Sequence, residues 1–402
     1  MIDKNAEGRF SCVDGRNARE SSLRVTVFAY AKINLTLNVI GKRPDGFHDI
    51  ESIMQAVSLR DDVTVLLQPA GCDGNSLRAR SRSSGERRTG EWRTGERIRV
   101  NISTKDEYIA KQSIPTGMLN TAYKAADEFF ARQAPGNLSV DIHINKRIPA
   151  AAGLAGGSAD AAAVLLALNY IANRARESGV RDIKPLSDNE LLETASRVGS
   201  DVPFCLLFGT QRAESETSAS ATTTTAAAVA ATTVVTASTA TVTADLCRKK
   251  PAPIVNGTAY AQGFGERLNR LLCPPPKFSV VLANPRIEIS TKQVFNDFMP
   301  LSAETIGDLS KLTQAMIESQ CDAWKHCFNA LERGVADIYP QIAIIKAALL
   351  NAGALSATMS GSGPTVYGLF DNYRRAIEAA DAIGGNRTIC KNGCWTVVCH
   401  FV

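Results

Sequence analysis

The sequence predicts an α+β protein of two domains, and three observations carry that prediction. A strand, a glycine-rich turn and a helix succeed one another between Val140 and Ile171. A second glycine-rich turn, Thr358 to Thr365, leads into the strand Thr365 to Phe370. Around these landmarks strand-like and helix-like segments alternate, but not in the order of a doubly wound nucleotide-binding sheet.

Taken from the start, residues 1–24 are polar and mixed in charge, with Asp3, Glu7, Asp14 and Glu20. A secretory signal needs an apolar centre and a transit peptide is poor in acids, so a disordered leader is predicted. The first domain is predicted over 25–210. Val25 to Val39 reads as a strand pair, with Val25, Val27, Leu35, Leu37 and Val39 in alternation. Lys32 and Asn34 fall inside this pattern, where a lysine is ordinarily a solvated face residue. Gly41 to Gly46 has turn composition and delivers Phe47 and His48, a pair that often does no more than cap a core edge. Ile50 to Leu67 continues as strand around Asp61 and Asp62.

Residues 71–97 end in a polar repeat of period five, Gly85 to Arg97, which cannot bury a core and is predicted to be a solvated insertion. Trp92 among arginines leaves a base-stacking arm as the alternative. Met118 to Arg132 is predicted helical, with Leu119, Ala122, Ala125, Ala126 and Phe129 on one face and Asn120 in its first turn.

Val140, Ile142 and Ile144 then alternate as a half-buried strand before Lys146 and the stretch PAAAGLAGGSADAAA, Pro149 to Ala163. Downstream, Ala161, Val164, Leu165, Leu168 and Ile171 recur at helical spacing. Gly153, Gly156 and Gly157 let a backbone approach a ligand closely, and a helix start offers unpaired N–H groups with partial positive charge. Together they suit a phosphate. A flexible turn before a tightly packed small-residue helix is the alternative reading. The motif is neither a P-loop nor the G-x-G-x-x-G dinucleotide fingerprint.

Leu186 to Val198 is a further helix, begun by Ser187 or Asp188, and it leads to Gly199-Ser-Asp201-Val-Pro203. An aspartate after Gly-Ser is usually a turn residue. Residues 211–256 are predicted to be a second insertion. From Glu214 to Asp245 it is almost wholly Thr, Ala, Ser and Val, which cannot fill a core although it has some strand propensity.

The second domain is predicted over 257–402. It holds a strand at Phe278 to Leu282 and helices at Ser290 to Phe298, Leu309 to Met316, Asn329 to Val335 and Pro340 to Asn351. Ile342, Ile345, Leu349 and Leu350 form the apolar face of the last, and Gly353 stops it. The turn that follows, with Ser360 and Gly361, reads on its own as a tight hairpin.

Composition is that of an ordinary globular chain, 45% hydrophobic and 21% charged. The net charge of +5 is matched by Arg78 to Arg99 alone, where eight Arg face three Glu, so no nucleic-acid partner is predicted. Ten cysteines lack a scaffold spacing, which suits a reducing compartment and a cytoplasmic location. Cys390, Cys394, Cys399 and His400 are too loosely spaced for a metal site. No apolar run reaches membrane-spanning length.

Three segments in this order carry a resemblance. They are Ala29-Tyr-Ala-Lys-Ile-Asn-Leu-Thr-Leu-Asn38 with Arg43-Pro-Asp-Gly-Phe-His48, then Pro149-x-x-x-Gly-Leu-x-Gly-Gly-Ser158, then Gly199-Ser-Asp-Val-Pro-Phe204. The chain resembles the GHMP superfamily, named after galactokinase, homoserine, mevalonate and phosphomevalonate kinases. Within it the chain is similar to the branch acting on 4-diphosphocytidyl-2-C-methyl-D-erythritol, in the non-mevalonate isoprenoid pathway. The match runs from about Val25 to Phe370 apart from the insertions.

The resemblance implies a two-domain GHMP kinase fold with its site in the cleft, ATP and Mg²⁺ as cofactors, and a monomer or weak homodimer. It implies Asp201 as the base for the acceptor hydroxyl with Lys32 beside it, and Asn34, Phe47 and His48 as substrate residues. Phe47 stands where the family usually has tyrosine, so ring stacking is kept and any hydroxyl contact is lost. The nucleotide is assigned to Asn120, Lys146, Pro149, Gly153, Leu154, Ala155, Gly156, Gly157, Ser158, Ala159, Ser360 and Gly361. Ser158 is the hydroxyl nearest the metal. A sister kinase for mevalonate, homoserine or a sugar would lack Lys32-Ile-Asn34 with Gly46-Phe-His48. A non-catalytic nucleotide-binding module would lack the Lys32–Asp201 pair.

Overall fold

The computed structural model describes residues 23–69, 97–133, 138–177, 183–212, 257–271, 276–318 and 323–402. The leader through residue 22 and the insertions at 70–96 and 213–256 lie outside the described residues. The two strands predicted between Val25 and Val39 are one, β1 (Leu23–Lys42), and its hairpin partner is β2 (His48–Pro69). The pair keeps antiparallel register from Leu23 opposite Leu67 to Lys42 opposite His48. Register shifts at Tyr30/Lys32, Asn34/Thr36 and Val39/Gly41 interrupt the alternation, which is why the sequence pattern looks broken.

β3 (Ile98–Ser103) runs parallel to β4 (Leu138–Asn145), and β4 is antiparallel to β2. With β5 (Thr210–Arg212) on the other side, the first sheet has the order β3-β4-β2-β1-β5. Two boundaries move as a result. Leu23 and Arg24 belong to β1 rather than to a leader, and Gln211 and Arg212 belong to β5 rather than to the insertion.

The predicted domain boundary at 257 also fails to separate the sheets. β6 (Thr258–Gly263) pairs with β2, β7 (Arg267–Arg270) pairs with β6, and β9 (Phe328–Asn329) runs parallel on β1. The outer half of the long hairpin offers unpaired backbone groups, and strands from the later half of the chain satisfy them.

On this sheet lie α2 (Thr121–Ala131), α3 (Gly156–Glu177) and α5 (Val202–Phe208), with α4 (Asp188–Val198) packed on these helices and the short α1 (Glu107–Ala110) after β3. α3 packs on β1, β2, α2 and α5. Its alanines at 159, 161, 162 and 163 are fully buried and let the helix lie close to its neighbours, while Val164, Leu165, Leu168 and Ile171 fill the remaining space. α2 begins later than the pattern predicts, because Asn120 caps it and leaves Met118 and Leu119 exposed.

The second sheet is antiparallel, ordered β10 (Ser356–Met359), β11 (Val366–Phe370), β8 (Ser279–Asn284), β12 (Trp395–His400). α9 (Gln341–Asn351) and α10 (Tyr373–Gly384) pack on it, and α6 (Thr291–Asp297), α7 (Ala303–Ile317) and α8 (Glu332–Ile338) complete this half. The sheets are joined where Val57 bridges Phe401 and Val402 donates its amide to Ala56. Among the described residues no helix is long and apolar enough to cross a membrane.

Candidate active site

The glycine stretch turns out of β4 and becomes helical at Gly156. Gly153 has φ +74°, and a Cβ there would lie 2.2 Å from the Ser360 carbonyl oxygen, so only glycine lets the two loops meet. Ala151 and Ala155 take left-handed backbone as well, at φ 50° and 56°, which costs strain for a residue with a Cβ.

Most of the loop's carbonyls are occupied. Ala152 O accepts from Thr365 N at 3.3 Å, Leu154 O from Lys32 N at 3.1 Å and Ala155 O from Ala159 N at 2.9 Å. Gly153 O accepts from Ser360 Oγ at 2.9 Å, and Gly157 O from Thr121 Oγ1 at 2.7 Å. The Gln112 side chain fixes the approach to the loop by accepting from Ala150 N and donating to Ala150 O. The amides show the opposite pattern. From Gly153 to Ser158 none donates to an acceptor among the described residues. A row of uncommitted N–H groups at the positive end of a 22-residue helix is a cradle for an anion. The Ser158 hydroxyl, half-buried, likewise has no protein partner among the described residues.

Beside the cradle, Lys32 Nζ lies 3.3 Å from Asp201 Oδ2. Lys32 is buried on β1, and Asp201 stands between α4, which ends at Gly199, and α5, which opens on Val202 and Pro203. Asp201 occupies the N-cap position of α5, yet its carboxylate makes no capping bond, so local structure gives no account of it. Lys32 also donates to Asn34 Oδ1 at 2.8 Å, Asn34 donates to Ser52 Oγ at 2.8 Å, and Ser52 donates to Thr36 O at 2.6 Å. That relay fixes where the ammonium points. Cys205, one helical turn past Asp201, is pushed far up in pKa by burial and then by the Asp201 charge, so it stays a neutral thiol.

Other predicted residues take different places. Lys146 sits beneath the loop, donating to Asp61 Oδ2 at 2.5 Å and to Asp160 Oδ2 at 2.8 Å, and a Cβ on Gly156 would lie 3.4 Å from its Nζ. Burial acts to lower its pKa, but the carboxylates of Asp160 and Asp61 outweigh this and keep it charged. Asp61 further accepts the amides of Arg147 and Ile148, so this buried cluster anchors the turn out of β4. Asn120 caps α2, accepting from Ala122 N and donating to Pro115 O. Pro149 and Ala159 are buried. Ser360 and Gly361 form the facing wall: a Cβ on Gly361, φ +55°, would lie 3.2 Å from Gly153 O and 3.5 Å from Asn34 Oδ1.

Phe47 is 56% exposed, its ring 5.4 Å from that of Phe264. His48, the next residue, faces elsewhere: its ring is 5.2 Å from Phe295, beside a cavity of about 150 Å³ that Lys42 also lines. Burial, and then the charge of Lys42, lower the His48 pKa, which favours the neutral imidazole. Phe264 escaped the sequence reading. Its only signal is its place between Gly263 and Gly265, at φ +73° and +114°, in the turn joining β6 and β7. Gly265 packs near the Ser200 carbonyl, which brings this aromatic pair next to Asp201. The partners of Lys146 were also missed; an Asp61-Asp62 doublet within a strand was the available hint.

The GHMP kinases N terminal domain model matches residues 120–209, and the GHMP kinases C terminal model matches 301–387. A 4-diphosphocytidyl-2-C-methyl-D-erythritol kinase of Pelotomaculum thermopropionicum is 33% identical over 359 residues, covering 89% of this chain and 92% of that protein. Its counterpart in Acetivibrio thermocellus is 30% identical over 371 residues, 91% of this chain and 97% of that protein. Among solved structures, a 4-(cytidine 5'-diphospho)-2C-methyl-D-erythritol kinase superposes with a TM-score of 0.54 at 23% identity, covering 93% of this chain and 98% of its own. A homoserine kinase from Cytophaga hutchinsonii gives a TM-score of 0.55 at 16% identity, covering 94% of each. The two structures speak to the fold alone.

Proposed function

The chain belongs to the 4-diphosphocytidyl-2-C-methyl-D-erythritol kinase family, and we propose that it transfers the γ-phosphoryl group of ATP to the 2-hydroxyl of that cytidyl substrate, a step of the non-mevalonate route to isoprenoid precursors. The observation that carries the reading is Lys32, whose amide is bound to the glycine loop at Leu154 O while its ammonium meets Asp201. One residue thus ties a phosphate cradle to a carboxylate that has no structural duty.

Phosphoryl transfer asks the protein to position donor and acceptor and to offset charge on the moving group. The amides of Gly153 to Ser158 hold the donor phosphates. Asp201 accepts the proton of the acceptor hydroxyl as its oxygen bonds to the γ-phosphorus and the bond to the ADP oxygen breaks. Lys32 lies where negative charge develops on the acceptor oxygen and favours it electrostatically. Among the described residues no three His, Cys, Asp or Glu side chains are arranged to hold a metal. Mg²⁺ would therefore be held chiefly by the phosphates, with the unpartnered Ser158 hydroxyl as its protein contact, and when bound it neutralises charge on the phosphate oxygens.

Phe47 and Phe264 offer two aromatic faces for the cytosine, and their rings, 5.4 Å apart and tilted by 37°, must part and align to admit it. The test is ADP release by the full chain with ATP and 4-diphosphocytidyl-2-C-methyl-D-erythritol, set against mevalonate and homoserine. Turnover of the cytidyl compound alone is expected. Turnover of mevalonate or homoserine in its place would overturn the assignment.

A further inference from the structure

The second glycine loop is held from one side by a residue that the reaction does not touch. Asn329, in β9, is buried, and its Nδ2 donates to Met359 O at 2.8 Å and to Gly361 O at 2.7 Å. Its Oδ1 accepts from Leu331 N at 2.9 Å, which leaves both ends of the carboxamide engaged. Three residues on, Glu332 accepts the Met359 amide at 2.7 Å and the Thr358 hydroxyl, and it pairs with Lys346. The two carbonyls that Asn329 holds flank Ser360, whose hydroxyl binds Gly153 O.

β9 is also the only described strand beyond residue 257 that pairs with β1: Thr36 lies opposite Phe328, Leu37 opposite Asn329, and Ala330 N donates to Leu37 O at 2.8 Å. β1 carries Lys32 and Asn34. Asn329 therefore stands at the junction of the strand that presents the acceptor machinery and the loop that closes over the donor phosphates.

We propose that Asn329 is a positioning residue for phosphoryl transfer, whose two N–H donors set the second glycine loop in register with Lys32 and Asn34 on β1. The proposal rests on the kinase reading above, in which Ser360 and Gly361 wall the phosphate site. Both N–H bonds of one amide end on carbonyls one residue apart from Ser360, so their loss frees the loop to rotate its amides away from the cleft. Misplacement of a donor by about 1 Å is enough to cost up to about a hundredfold in rate.

Two substitutions separate positioning from a purely structural part. Asn329→Asp keeps the size and the acceptor for Leu331 N but replaces the two donors by an oxygen facing carbonyls; Asn329→Ala removes both functions. In the full chain, both variants are expected to lose at least about tenfold in kcat/KM for ATP and in affinity for a non-hydrolysable ATP analogue, with CDP affinity held within about twofold. Analogue and CDP affinities come from titration calorimetry and need no turnover, so they decide the role of Asn329 even if the parent protein fails to phosphorylate the cytidyl substrate. Such a failure would sink the kinase reading instead. Asn329→Asp with analogue affinity and kcat/KM within about twofold of the parent overturns the proposal. Loss of soluble protein for both variants overturns it too, by assigning Asn329 to the core.

Discussion

Asp201→Asn separates chemistry from stability because, among the described residues, the carboxylate has one ion-pair partner and no capping duty. Asparagine keeps the shape. What the fold loses is the negative charge opposite Lys32, whose side chain is 5% exposed against 28% for Asp201, so the cost lies between that of a surface pair and that of a fully buried one, about 1–3 kcal/mol. The melting temperature should therefore fall by no more than about 12 °C. What the reaction loses is the group that receives the hydroxyl proton, about 100- to 10,000-fold in turnover, or roughly 2.7–5.4 kcal/mol of barrier. Affinities for ATP and for the cytidyl substrate should stay within a few-fold, since neither depends on where that proton goes. Lys32→Met should cost a similar factor in turnover and more in stability, because burial leaves Asn34 Oδ1 without its donor. The double variant should be little slower than either single one, as residues acting together are not additive. Single-turnover kinetics, titration calorimetry and a melting curve on the same preparations read all three quantities. An Asn variant that keeps more than about a tenth of parental turnover, or whose activity falls only as its melting temperature does, refutes the base assignment.

Phe264→Ala should raise the KM for the cytidyl substrate by about 5- to 150-fold, the worth of one stacked base, and leave that for ATP unchanged; equal rises in both would count against a stacking role. Gly153→Ala must push a methyl against the Ser360 carbonyl, so steady-state kinetics should show a large rise in KM for ATP, and parental kinetics would disprove the close contact. Burial raises the thiols of Cys399 and Cys327 from an ordinary 9.0 to about 12 and about 11. A raised folded-state pKa gives stability that is complete below the unfolded value and is lost as pH climbs toward the folded one. Melting temperature should accordingly decline from about pH 9 to about pH 11, and Cys399→Ala with Cys327→Ala should flatten that decline. Deleting residues 71–96 in favour of a short Gly/Ser linker should preserve activity, because Pro69 lies opposite Leu138 and Ile98 opposite Val140 at one end of the sheet. Insoluble protein would show that the insertion supports the fold.

The sequence made the strand–loop–helix core legible because its signals are local. Alternation at Val140, Ile142 and Ile144, three glycines in five residues and helical spacing afterwards each depend on neighbours a few positions away. The hairpin β1–β2 was harder to see, since register shifts break the period that defines a strand. β6 and β9 could not be assigned to the first sheet, because pairing with β2 and β1 depends on partners hundreds of residues distant. The site divides the same way. The cradle is written in glycine, whereas the burial of Lys146 between Asp61 and Asp160, and the pairing of Phe47 with Phe264, arise only when remote segments meet.

One signal in β1 was present and left unread. Lys32, Asn34, Thr36 and Asn38 occupy every second position, while Ile33, Leu35 and Leu37 fill the alternate ones. A polar row of this kind normally marks a solvated face. Here all four polar residues are buried, so each must find a partner or carry an uncompensated desolvation cost. Lys32 finds Asn34 and Asp201; Asn34 finds Ser52; Thr36 accepts the Ile53 amide; Asn38 donates to the Ile306 carbonyl and the Ser310 hydroxyl on α7. Fixed protein partners hold the lysine's ammonium in one direction before any substrate arrives, which is what a charge-stabilising group needs in order to act without reorganising during the reaction. Lys32 and Asn34, buried ahead of the register shift at Asn34/Thr36 and beside a glycine-rich loop, are thus better read as preorganised catalytic groups than as a surface.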